Sequence, residues 1–127
     1  MFDLRTILLI LFLTLGFLSI ALALPLIRRE VGPNSFYGFR TRVTLADPGL
    51  WYDANAYAGK SLFGYGLGVG LGSLILYLIP LSELAYAWTC LVIILGGLAV
   101  SLFLCFSHLR RRVKIHVSKG TDVKYGR

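Results

Sequence analysis

Between two uncharged runs lies the stretch 33–60, PNSFYGFRTRVTLADPGLWYDANAYAGK, which holds most of the side chains able to make specific polar contacts. Asn34, Tyr37, Arg40, Thr41, Trp51, Asp53, Asn55 and Lys60 all fall within it. Arg40 carries a planar fork of donors suited to a phosphate or a carboxylate. Asn34 and Asn55 each offer both donor and acceptor, and Trp51 is an amphipathic ring at home at a membrane boundary. Asp47 and Asp53 are both candidate partners for Arg40, and nothing in the sequence chooses between them. The chemistry on offer is recognition. No Ser-His-Asp set, paired carboxylate or nucleophile elbow occurs, and the chain has only 6 acidic residues, so no enzyme is expected. His108 and His116 lack an acidic or thiol partner at ligand spacing and read as boundary residues, so neither a metal nor a cofactor is expected. Cys90 and Cys105 would lie about 22 Å apart on one helix, too far for a disulfide.

The elements that must position these residues are hydrophobic. The chain has 127 residues, 57% of them hydrophobic and 15% charged, with a mean hydropathy of +0.74. That composition excludes a soluble domain and points to an all-α membrane protein. Crossing a bilayer takes about 20 apolar residues in a helix, and three runs qualify: 7–27, 61–82 and 84–109. Arg5, the first run and Ala21-Leu22-Ala23 also resemble a cleavable leader, but the run is long for one and Asp3 offsets Arg5, so a retained span is expected. Gly32-Pro33-Asn34 is a turn signal. No helical period is clear over 35–43, which reads as irregular or extended. Asp47-Pro48 marks a helix start, Asp as cap and Pro in the first turn. With no breaker after it, one helix from 48 to near 79 is expected, placing Trp51, Asn55 and Gly59 on one face.

Glycines at 64, 66, 68, 70 and 72 make two small-residue rows, Gly64/Gly68/Gly72 and Gly66/Gly70. Such rows let lipid-embedded helices approach closely, and Gly64, Gly68 and Gly72 are the candidate packing residues. A turn at 80–83 sets spans two and three antiparallel, and Tyr77, Tyr86 and Trp88 fall where an aromatic belt would lie. The segment 110–127 reads as a mobile basic tail, whose nearer partner is an anionic leaflet rather than nucleic acid. Of 13 Lys and Arg residues, all but Arg5 lie in the loop 28–60 or after His108. The positive-inside rule therefore puts loop and C-terminus in the cytoplasm and the N-terminus outside.

The loop string has a further property. Pro33, Asn34, Tyr37, Gly38, Phe39, Arg40, Thr41 and Thr44, followed by Trp51, Asn55, Gly59 and Lys60, closely resemble the signature of the SdpI-type immunity protein family. The resemblance covers the loop and the second span, with the third following in its usual place. It implies a small polytopic membrane protein of bacteria, 1–127 forming a single SdpI-like membrane domain. The best-known member protects its producer from a secreted toxic peptide and holds a repressor at the membrane when toxin is present. Longer members carry an additional multi-helix half before this domain; here one span precedes it. By that resemblance, the signature residues Asn34, Tyr37, Gly38, Arg40, Thr41, Thr44, Trp51, Asn55, Gly59 and Lys60 are the candidate binding set.

Physically the set supports two readings. One is a polar pocket at the membrane face for a headgroup, a toxic peptide or a cytoplasmic regulator. The other is a loop that satisfies its own backbone, as polypeptide near lipid must. From other classes come a small oligomeric transporter, for which the spans offer few polar linings, and an accessory subunit packed on a larger complex or a second copy through the glycine rows.

Overall fold

The computed structural model describes residues 3–125, with side chains to Ser118. It contains α1 (Leu4–Ile27), α2 (Arg42–Ala46), α3 (Pro48–Leu78) and α4 (Glu83–Tyr125), and no strand among the described residues. Three of these helices, α1, α3 and α4, are long and apolar enough to cross a membrane, so the protein is a multi-pass membrane protein.

Both ends of α1 and the start of α3 are set by local contacts. Asp3 caps α1 by accepting from the Thr6 amide at 3.2 Å, and the Thr6 side-chain bond holds its carboxyl below the ordinary range. At the other end Arg29 adopts φ 59° while its amide reaches Leu26 and that of Glu30 reaches Pro25. This is a Schellman closure with arginine where glycine is usual. Asp47 caps α3 through Gly49 and Leu50, and Pro48 occupies the first turn as the sequence requires.

Helix α3 is the axis of the molecule. α1 packs along one side of it and α4 along the other, while α1 and α4 touch little. The three meet around Phe12, Val69, Tyr86 and Cys90. Close approach of α1 to α3 rests on two glycines. A Cβ on Gly16 would stand 2.7 Å from the Gly66 carbonyl oxygen, and one on Gly66 would stand 2.6 Å from that of Gly16. Serines buried in this packing bond back to their own helices, Ser19 to Leu15 and Ser73 to Gly70. Arg5 closes the far end, donating to the Tyr77 and Ile79 carbonyls that α3 leaves open. Its guanidinium also lies 5.3 and 5.4 Å from the Tyr77 and Tyr86 ring centres.

Three expectations are corrected. Arg42 and Val43, the end of the stretch 35–43 expected to be irregular or extended, instead open α2, because Thr41 and Thr44 make a reciprocal capping box. Tyr86 is fully buried with its hydroxyl on the Ser73 carbonyl, so of the expected belt only Trp88 is largely exposed. The segment from 110, expected as a mobile tail, continues α4 through Tyr125; side chains beyond Ser118 lie outside the described residues. At about 1.5 Å per residue, α3 is roughly 46 Å long and α4 longer still. Both outrun a hydrocarbon core of about 30 Å.

Candidate functional site

The surplus length of α3 and α4 stands beside the loop 28–47, and together they build the candidate site. Asn34 uses its whole amide to fold the loop. Its Oδ1 accepts from the Phe36 and Tyr37 amides at 2.8 and 2.7 Å, and its Nδ2 donates to the Gly32 and Tyr37 carbonyls. Tyr37 then reaches across to donate its hydroxyl to the Leu22 carbonyl of α1; burial pushes that phenol above its ordinary value.

Gly38 follows at φ +114°, a region that side chains avoid, against the Asn55 carboxamide. That turn delivers the Phe39 amide to Asn55 Oδ1, while Asn55 Nδ2 donates to the Trp51 carbonyl at 3.0 Å. Trp51 donates its indole N–H to the Val31 carbonyl at 2.8 Å. Trp51, Thr44 and Asn55 are 0%, 0% and 2% exposed, out of reach of any ligand. Gly59, one turn on, lets the Ala23 carbonyl and Ile27 of α1 come within 2.9 Å of where a Cβ would be. The face shared by Trp51, Asn55 and Gly59 is thus the seam between α3, the loop and α1.

Of the residues singled out from the sequence, the structure therefore brings Asn34, Tyr37, Gly38, Thr41, Thr44, Trp51, Asn55 and Gly59 together as one internally bonded unit. Arg40 and Lys60 are set apart from it. Both are exposed, and neither has a hydrogen bond or ion pair among the described residues. Phe36, on the same loop, is 95% exposed. Neither expected partner of Arg40 is available. Asp53 pairs with His108 at 2.9 Å and Arg112 at 3.0 Å, and Asp47 pairs with His116 at 3.0 Å.

Those pairs are the part that sequence reasoning missed. They tie the surplus lengths of α3 and α4 into a two-helix stalk, with the Tyr57 ring stacked 4.0 Å from that of His108. A signal existed: His108, Arg112 and His116 recur every four residues and so share a face. It was overlooked because the arginines read as the end of a span. Among the described residues no group of three His, Cys, Asp or Glu could hold a metal.

The glycine rows divide between partners. Gly66 and Gly16 meet, and Gly70 lies within reach of Gly16. Gly64 and Gly68 face a cavity between α3 and α4, and Gly72 closes on Ile93.

Comparison with curated proteins and with solved structures gives no match. The family model described as the SdpI/YfhL protein family matches residues 30–107, the loop, α2, α3 and α4 as far as Ser107. α1, against which Tyr37 and Gly59 pack, precedes that match. With more than half of its length covered, this chain belongs to the SdpI/YfhL family.

Proposed function

We propose that this chain is a binding and sensing protein in the manner of SdpI-type immunity proteins. It captures a toxic peptide, or relays its presence to a cytoplasmic regulator, through the outer face of the 28–47 loop. The observation that carries this reading is the division within the signature. Asn34, Tyr37, Thr41, Thr44, Trp51 and Asn55 spend their side chains on holding the loop, whereas Arg40 projects from that platform without a partner among the described residues. Bracing alone has no use for such a guanidinium, nor for the exposed phenylalanine of the same loop. An aromatic and an arginine on a pre-ordered surface are what small protein hot spots are made of, and they suit a segment carrying an apolar side chain next to a carboxylate. The basic loop and the Arg-rich start of the α4 extension support a cytoplasmic position for this surface, by the positive-inside rule.

The test is a photoreactive residue at Phe36, expressed in the producing bacterium's membrane, with and without Arg40→Ala. A discrete peptide or protein adduct is expected, reduced about tenfold or more when the charge-assisted contact is lost. Adducts to lipid alone or to the chain itself would overturn the reading.

A further inference from the structure

Away from the loop, α3 and α4 part to leave a cavity of about 430 Å³ that opens sideways toward lipid. It exists because side chains are missing. A Cβ built on Gly64, Gly68 or Gly96 meets nothing within 4 Å. Its two ends differ. At one, Lys60 stands exposed where α3 enters its apolar run, and Ser61 and Ser101 share a 2.8 Å hydrogen bond across the helices. At the other, Val69 and Ile93 line the closed end, and just beyond it Gly72 would bring a Cβ to 3.5 Å from Ile93. From Lys60 to Val69 is about 14 Å along a helix, close to half of a bilayer core of roughly 30 Å. The slot therefore runs from headgroup level to the midplane and stops.

We propose that this slot is a site for one acyl chain of an anionic phospholipid, with Lys60 at the headgroup. The depth selects the occupant. A second copy of this chain, or any membrane-crossing peptide, would need a groove continuing along the full length of both helices, and this one closes halfway. A lipid tail ends where the slot ends. Charge selects the headgroup: Lys60 has no ion pair among the described residues, and a basic side chain at that level attracts a net negative lipid over a zwitterionic one.

The experiment uses the full chain, extracted in mild detergent from membranes of mixed phosphatidylglycerol and phosphatidylethanolamine and weighed intact by native mass spectrometry. The wild type should retain one phospholipid, phosphatidylglycerol ahead of phosphatidylethanolamine. Gly68→Leu puts a side chain into the open slot without meeting backbone, so helicity by circular dichroism should hold while retained lipid falls to background. Gly96→Leu fills it from the opposite wall and should do the same. Lys60→Gln should still retain lipid but lose about fivefold of the anionic preference, the attraction of one basic residue at the surface. Equal retention by wild type and both leucine variants would overturn the proposal, as would an unchanged preference in Lys60→Gln. So would a dimer in the wild type that the leucine variants convert to monomer, which would assign the slot to a second copy.

Discussion

The most constrained residue in the signature is a glycine. Gly38 sits at φ +114°, and a Cβ there would strike the Asn55 carboxamide that holds the Phe39 amide. Backbone strain and a displaced buried amide act together in Gly38→Ala. Strain of this kind costs about 1–3 kcal/mol, and an unsatisfied buried donor adds about as much again. The variant is expected to insert and to keep its three spans, while the Phe39 amide loses its protection from hydrogen exchange. Full protection in Gly38→Ala would mean that Asn55 does not organise the loop. Arg40 contrasts with this at the same scale, because nothing internal to the described residues depends on it. Its substitution should leave loop protection unchanged and alter only what the loop captures.

Between elements, the two sides of α3 obey different rules. On the α1 side, Gly66 and Gly16 bring backbones into contact, the means by which helices associate where lipid removes any hydrophobic drive. Gly66→Leu should force α1 away at a cost of about 1–3 kcal/mol or more. Cysteine pairs placed across the α1–α3 seam report this: their crosslinking in membranes should fall in Gly66→Leu and persist in Gly68→Leu, whose side chain enters open space. Equal behaviour of the two variants would contradict the packing. On the α4 side the hold is polar as well as apolar. Ser61 and Ser101 join within the membrane, and Asp53 and Asp47 grip His108, Arg112 and His116 beyond it. The loop thereby gains a neighbour, since Phe39 packs edge-on against Phe106 of α4 at 5.1 Å.

At the scale of the whole molecule, the chain is a thin three-helix slab. Its apolar side chains face outward along α1 and α4, and its polar work is concentrated at one end. The turn 80–83 and the Arg5 clasp mark the opposite end. On the proposed orientation, with loop and α4 extension inside, a cysteine at Ser82 should react in intact cells with a membrane-impermeant maleimide. One at Phe36 should react only after permeabilisation. The reverse pattern would put the loop outside and move the proposed recognition to an extracellular partner.

How much of this was legible beforehand depends on the range of the forces involved. The spans, the Asp47-Pro48 start, the single helix running on to near 79 and the turn at 80–83 follow from hydropathy and from capping, which act over a few residues. The family signature was legible too, because its residue types and spacing are unusual. What the signature residues do was not. Asn55 could have met a ligand or a backbone amide, and only the return of the loop over α3 placed the Phe39 amide on it. The partners of Asp47 and Asp53, the inward turn of Tyr86 and the division of the glycines between α1 and α4 were likewise open. Each depends on the rotation of one helix about its axis relative to another. That rotation is set by packing among residues far apart in the chain. Local sequence determined the three long apolar helices and the turn between the last two; tertiary structure decided which faces meet, and so left Arg40 and Lys60 outside the packed seam.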